Sequence, residues 1–146
     1  MSRTPETSGL RLLAEDADDL AVISAALQDA VARIGDIAFE PSARRLTVGF
    51  NRFRWEAQGQ AGERVRSGLQ LTGVLAVRSL KLRREARDAV VSLMGLAFEP
   101  VEAPGGVIVM TFAGGGELRA EVECIDAAMA DVSAPWPTPR RPKHED

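Results

Sequence analysis

The chain has 146 residues, of which 45% are hydrophobic and 27% are charged, a balance typical of one globular domain with its own core. Its apolar stretches are far shorter than the about 20 residues that a membrane-spanning helix needs, and the N-terminus lacks the apolar segment of a secretory signal. The single cysteine, Cys124, excludes an internal disulfide and is expected to be a small buried residue. We therefore expect a cytoplasmic protein that does not associate with membranes.

The net charge is −3, but it is unevenly distributed along the chain. Residues 1–43 carry 3 basic and 8 acidic side chains, residues 44–87 carry 11 and 3, and residues 88–146 carry 4 and 10. The basic middle segment either pairs with its acidic flanks across the folded surface or presents a positive face to an anionic partner. Both interpretations stay open at this point.

The N-terminal part of the chain predicts a short strand followed by an amphipathic helix. Residues 10–14 are predicted to form the strand, and Asp16 is a plausible N-cap for the helix. Apolar residues then recur at helical spacing as far as Ile34, which predicts a helix of about 16 residues closed by Gly35.

Residues 46–56 give the strongest strand pattern. Strict alternation would place Arg52 and Arg54 on one side and Phe53 and Trp55 on the other. We predict that the two aromatic residues lie in the core and that the arginines point outward, with a bulge or a strong twist near residues 50–53 where the apolar face changes.

The rest of the chain predicts more strands and a second helix at residues 83–94, closed by Gly95. Residues 113–116 predict a glycine-rich hairpin turn, and residues 125–132 could be strand or helix. The further predicted strands are residues 37–40, 65–82 (one or two strands, bent at Gly68 and Gly73), 96–99, 107–112 and 118–124.

A short motif occurs twice, as Ile-Ala-Phe-Glu-Pro at residues 37–41 and Leu-Ala-Phe-Glu-Pro at residues 96–100. Because both copies have a similar predicted context, the chain could contain two β-α-β-β-β repeats, residues 10–72 and 73–132. The predicted class is α+β, a mainly antiparallel sheet with two helices, in one domain over residues 10–132. Residues 1–9 and the proline-rich residues 133–146 are expected to be flexible, with Trp136 docked onto the domain.

The sequence offers no recognised catalytic constellation. The only histidine, His144, lies at the C-terminus, which is a poor platform for a catalytic base. One histidine and one cysteine cannot form a structural zinc site, and no phosphate-binding loop is present. We predict no catalytic residue, no metal and no cofactor.

Two groups of residues are candidates for a functional surface. Glu121 and Glu123 lie two residues apart on a predicted strand and form a carboxylate row. This row is a solvated face, a partner in salt bridges to arginines on a neighbouring strand, or a cation or acid–base site. Basic residues of the middle segment form a candidate binding surface, since guanidinium and aromatic groups alternate there. That surface comprises Asn51, Arg52, Arg54, Arg78, Lys81, Arg83 and Arg84.

Several segments resemble a bacterial family known only as a domain of unknown function. They are Phe-Asn-Arg-Phe-Arg-Trp-Glu at residues 50–56, Leu-Ala-Val-Arg-Ser at residues 75–79, Phe-Ala-Gly-Gly-Gly at residues 112–116 and Glu-Val-Glu-Cys at residues 121–124. The resemblance covers about residues 10 to 142. It implies a free-standing cytosolic protein and brings no activity, cofactor or catalytic residue.

Three functional hypotheses follow. The first is a non-enzymatic binding or adaptor domain for a protein partner, because no catalytic constellation is present. The second is a small enzyme that uses carboxylates and arginines, with Glu121 and Glu123 near Arg52, Arg54 or Arg78 in a concave pocket. The third is binding of RNA or another polyanion by the basic segment. A separate, structural option is a homodimer whose sheets pair edge to edge or face to face.

Overall fold

The computed structural model describes residues 9–56 and 62–138, which form a mainly antiparallel sheet with one α-helix. The predicted class is confirmed in its coarse form, a mainly antiparallel sheet with helix, although strands dominate. The elements are β1 (Arg11–Ala14), α1 (Ala17–Ala26), β2 (Val31–Arg33), β3 (Ile37–Glu40), β4 (Arg45–Phe53), β5 (Gly62–Thr72), β6 (Val74–Leu80), β7 (Val90–Pro100), β8 (Gly106–Phe112), β9 (Glu117–Val122), β10 (Ala127–Asp131) and β11 (Trp136–Thr138), with 3-10 turns at Ile34–Asp36 and Pro41–Ala43.

Helix α1 begins as predicted and ends earlier than predicted. The Asp16 side chain accepts a hydrogen bond of 2.8 Å from the Asp19 amide, which caps the first turn. The helix ends at Ala26, and Asp29 then takes a left-handed conformation with φ 62° that reverses the chain. Val31 therefore lies in β2, so the helical spacing beyond Leu27 was coincidental.

The sheet follows the order β1-β10-β5-β4-β2-β7-β8-β9-β6, with β3 beside β4 and β11 beside β5. Gly73, with φ 74°, turns the chain from β5 into β6. This bend fits the expected break in residues 65–82, whereas Gly68 continues within β5. The core packs between the sheet and α1 and includes Leu20, Ile23, Phe50, Leu69 and Phe112.

The predicted second helix is wrong. The chain makes turns between Arg83 and Ala89, and β7 begins at Val90. Residues 90–100 pair with β8 and with β2. This pairing outweighs the helical spacing of the apolar residues, so the segment forms a strand. Residues 125–132, left open between strand and helix, contain β10.

The two-repeat interpretation is not confirmed. Both motif copies lie on strands that pair with the next long strand, Ile37–Glu40 with β4 and residues 96–100 with β8. However, the second half runs β6-β7-β8-β9-β10 without a helix, so it lacks the predicted β-α-β-β-β order.

The described part of the C-terminal segment is ordered into a strand. Trp136–Thr138 forms β11, which pairs with β5 at the sheet edge. Pro137 has no backbone N–H to donate. An edge strand tolerates this because the backbone groups on its outer side need no strand partner. Residues 1–8, 57–61 and 139–146, including His144, lie outside the described residues.

We predict that Phe53→Ala lowers the free energy of unfolding by about 3–5 kcal/mol, since Phe53 is only 2% exposed. Urea unfolding followed by fluorescence measures the change. The matched control is Leu13→Ala, which removes a 75% exposed side chain and should change stability by less than about 0.5 kcal/mol. Unchanged stability of Phe53→Ala would contradict this placement.

Candidate functional site

The predicted binding surface is split between two places. Asn51 and Arg52 lie at the end of β4 and Arg54 directly follows it, and all three side chains are engaged within the protein. The remaining candidates, Arg78, Lys81, Arg83 and Arg84, lie on β6 and the segment that follows it, and their residues are exposed.

Arg52 is the centre of a buried polar network, which corrects the prediction that it points outward. Its guanidinium donates to both carboxylate oxygens of Asp131, with Nε–Oδ1 2.9 Å and Nη2–Oδ2 2.8 Å. It also donates to both oxygens of Glu56, at 2.9 and 2.7 Å. The Ser67 hydroxyl donates to Asp131, so the network joins β4, β5 and β10.

The expected bulge in β4 does not occur. The register between β4 and β5 is unbroken, and Arg52 lies on the same side of the strand as Phe50. Phe53 is buried on the other side, where its ring packs edge-on against Trp55 with centroids 4.7 Å apart. The end of β4 is therefore buried on both sides, and the ion pair with Asp131 allows Arg52 to be buried on one of them. This explains why the apolar residues change face along the strand.

The ion pairs of Arg52 shift two pKa values. Desolvation lowers the pKa of the Arg52 guanidinium, but its hydrogen bonds to Asp131 and Glu56 outweigh this and raise the pKa above its ordinary value. The hydrogen bond from Arg52 holds the pKa of Glu56 below its ordinary value, against an opposing effect of desolvation. The guanidinium therefore stays charged, and Glu56 stays ionised to lower pH.

The other β4 candidates are also paired. Arg54 lies 2.6 Å from Glu63, and the Asn51 side-chain oxygen accepts from Arg66 at 3.3 Å. Either residue would have to break an internal contact before its side chain could bind a ligand.

The cations after Leu75 behave differently. Within the described residues, no carboxylate lies within ion-pair distance of Arg78, Lys81, Arg83, Arg84 or Arg87. Arg87 donates only a 3.3 Å hydrogen bond, to the Gly35 carbonyl. The basic middle segment thus pairs with acidic residues in its first part and carries uncompensated charge in its second.

These cations border an opening between β3 and β6. Among the described strands, β3 pairs only with β4, and β6 pairs only with β9. The amide of Val74 donates to the Arg44 carbonyl at 2.9 Å, and the Gly35 amide donates to the Arg87 carbonyl at 2.8 Å. The end of β3 therefore lies near the start of β6, and the start of β3 lies near the segment that follows β6. These two hydrogen bonds bound the opening at its two ends.

An apolar cavity of about 150 Å³ lies beneath this opening. Arg84 and Arg87 line it together with the neighbouring polar residue Ser79. The segment that carries them is held in place because Leu82 packs on Gly116, where a Cβ would lie 2.5 Å from Cδ2 of Leu82. The apolar lining residues are Ile34, Ile37, Phe39, Leu46, Val77, Leu82 and Leu118.

The carboxylate row lies at a second, more open depression of about 670 Å³. Glu121 and Glu123 line it together with Arg78 and residues 101–107. Glu123 pairs with Arg44, and no described cation lies within ion-pair distance of Glu121. Arg52 and Arg54 do not line this depression. Cys124 is exposed beyond the end of β9, which corrects its expected burial.

Within residues 9–56 and 62–138, no three histidine, cysteine or acidic side chains come together as a metal site. No helix of this part of the chain is long and apolar enough to cross a membrane.

Sequence reasoning missed the cavity beneath β3 and β6. Its apolar lining was assigned to core strands, and Arg87 was assigned to a helix that does not form. The one available signal was the density of basic residues at positions 78–87, which one of the two open interpretations of the charge pattern assigned to a positive face.

The fold and its cavity define a mainly antiparallel β protein with a small apolar site bordered by cations. The model of a family described as "Protein of unknown function (DUF2948)" matches residues 10–144, and the chain belongs to this family. The comparisons with curated proteins and with solved structures gave no match. The function of the family is therefore open.

We predict that Arg52→Met lowers the free energy of unfolding by about 3–5 kcal/mol, because it leaves Asp131 buried without its counter-ion. The double variant Arg52→Met, Asp131→Leu should lose less than the sum of the two single losses, since neither charge then remains buried alone. Urea unfolding of all four proteins gives the comparison. Additive losses would show that the two residues contribute independently.

The lowered pKa of Glu56 makes stability depend on pH in a defined direction. Its contribution is fully present above the ordinary value of 4.5 and is lost as the pH falls through the lower pKa of the folded state. The stability difference between the protein and Glu56→Gln should therefore shrink as the pH is lowered below about 4.5. Denaturant unfolding at several pH values tests this, with Glu15→Gln as the exposed control. A difference that stays constant with pH would rule out the Arg52–Glu56 contribution.

Proposed function

We propose that this protein is a non-enzymatic binding domain for a protein partner, which it binds as a short extended segment along the free edge of β6. One observation carries the proposal: among the described strands, β3 and β6 each pair on one edge only, and they flank a cavity lined mostly by apolar residues.

The backbone chemistry supports a peptide as the occupant. A strand paired on one side only leaves every second N–H and C=O group without a strand partner, and an extended chain can supply the complementary groups. Side chains of an added strand alternate in direction, so one of them would point toward the cavity. The site therefore matches both the backbone and the side-chain pattern of an extended segment.

The polyanion alternative has less support than the sequence suggested. Arg52 and Arg54 are committed to Asp131, Glu56 and Glu63, which leaves no alternating arginine and aromatic surface on β4 for nucleic acid. The unpaired cations from Arg78 to Arg87 remain available to an anionic partner. Generic RNA therefore belongs in the test as a competing ligand.

The enzyme alternative requires the carboxylate row and arginines in one concave site. Of the arginines considered, Arg78 alone lines the depression that contains Glu121 and Glu123. Since Glu123 is also engaged by Arg44, the arrangement favours a surface with paired charges over an acid–base site.

We predict that peptides selected by the full chain from a library of short random peptides slow amide hydrogen exchange in β6. New backbone hydrogen bonds protect the amides of the strand that receives the segment. Hydrogen exchange with mass spectrometry, with and without a selected synthetic peptide, measures this protection. Strand β1 provides a matched control, because β10 is its single partner among the described strands.

Three results would overturn the proposal. One is a selection that yields no peptide, and another is protection of β1 with none in β6. The third is that generic RNA binds with strong salt dependence and displaces the peptides while Arg78→Ala and Lys81→Ala weaken RNA binding, which would indicate a polyanion site.

A further inference from the structure

The size and the lining of the cavity beneath β3 and β6 indicate which kind of side chain would fit it. Its volume of about 150 Å³ is close to that of engineered apolar cavities that bind benzene, which is the size of one large apolar side chain. The walls come from strands on both sides of the opening, including Ile37, Phe39 and Val77. One aromatic or branched aliphatic side chain would fill this space.

The charge at the edge of the cavity adds a second requirement. Arg84 and Arg87 line the cavity, are exposed, and have no described carboxylate within ion-pair distance. A bound segment would exclude water from them, and an unpaired guanidinium loses hydrogen bonds to water when it is covered. A carboxylate restores those bonds, and its planar geometry suits the guanidinium fork.

We infer that the partner segment combines one large apolar residue, inserted into the cavity, with an acidic residue close by in sequence that pairs with Arg84 and Arg87. This inference rests on the proposed strand addition and specifies its side chains. The apolar residue anchors the segment by burial, and the acidic residue selects among apolar segments through charge.

The chain offers a matched pair of positions for the test. Arg83 and Arg84 are adjacent, exposed and equally charged, but of the two only Arg84 lines the cavity. Peptides selected from the random library by the full chain should share one large apolar residue near Asp or Glu. For such a synthetic peptide, Arg84→Glu should weaken binding by about tenfold or more, and Arg83→Glu should have a much smaller effect. Fluorescence anisotropy measures both affinities.

A charge exchange makes the test specific. Replacing the acidic residue of the peptide by lysine should weaken binding to the unaltered protein and restore part of the binding to Arg84→Glu, because the pair is re-formed with reversed sign. Ser79→Leu, which adds volume at the cavity, should reduce binding of the same peptide, whereas Thr47→Leu on the exposed face of β4 should not. Circular dichroism confirms that each variant is folded.

Several outcomes would overturn this inference and leave strand addition standing. Selected peptides could protect β6 from exchange while lacking an acidic residue. Arg83→Glu and Arg84→Glu could weaken binding equally, which would indicate diffuse charge attraction. Selected peptides that contain no large apolar residue would show that the cavity is not used. Loss of exchange protection in β6 for all peptides would instead refute the proposed function itself.

Discussion

The bidentate pair between Arg52 and Asp131 is the constraint on which the arrangement of the central strands depends. A buried guanidinium is tolerated only when its hydrogen bonds are satisfied, and here carboxylates from β10 and from the end of β4 satisfy them. Because the pair spans β5, a slip of one residue in either neighbouring register would separate the charges or turn them outward. The network therefore fixes how β4, β5 and β10 align, and Ser67 on the strand between them contributes a further bond.

This pairing also determines which charges remain for a partner. The arginines on β4 and β5 that pair with acids, among them Arg52, Arg54 and Arg66, are engaged within the fold. The basic residues of the segment after β6 form no ion pair with a described carboxylate, so their charge stays unpaired beside the cavity. Folding thus divides one basic stretch of sequence into a structural part and an available part. Pairing with acidic residues accounts for the charge of the first part, and a positive face for an anionic partner stays a proposal for the second.

The sequence predicted β1, β3, β4, β5, β6, β8 and β9, the N-cap at Asp16 and the turn at Gly114 and Gly115, because each depends on local pattern or local backbone freedom. It predicted the wrong structure for residues 83–94. The helical spacing of the apolar residues gives no information on β2 and β8, which pair with the strand that begins at Val90. It assigned Arg52 to the surface because its partner Asp131 is distant in sequence. The cavity could not be predicted for the same reason, because its walls come from β3, β4, β6 and β9, which are distant in sequence. Contacts between distant segments, more than local preferences, decide the candidate site.

Two residues close to the ends of the opening, Arg44 and Lys81, have left-handed backbone conformations with φ of 51° and 55°. For a residue with a side chain this region is narrow, so each turn has less backbone freedom than a glycine would give it. Arg44 is further held by its ion pair with Glu123. The backbone of these two turns beside the cavity is therefore restricted before any ligand arrives. A ligand that binds between them would need to order little of these turns, so less of the entropy lost on association would come from them.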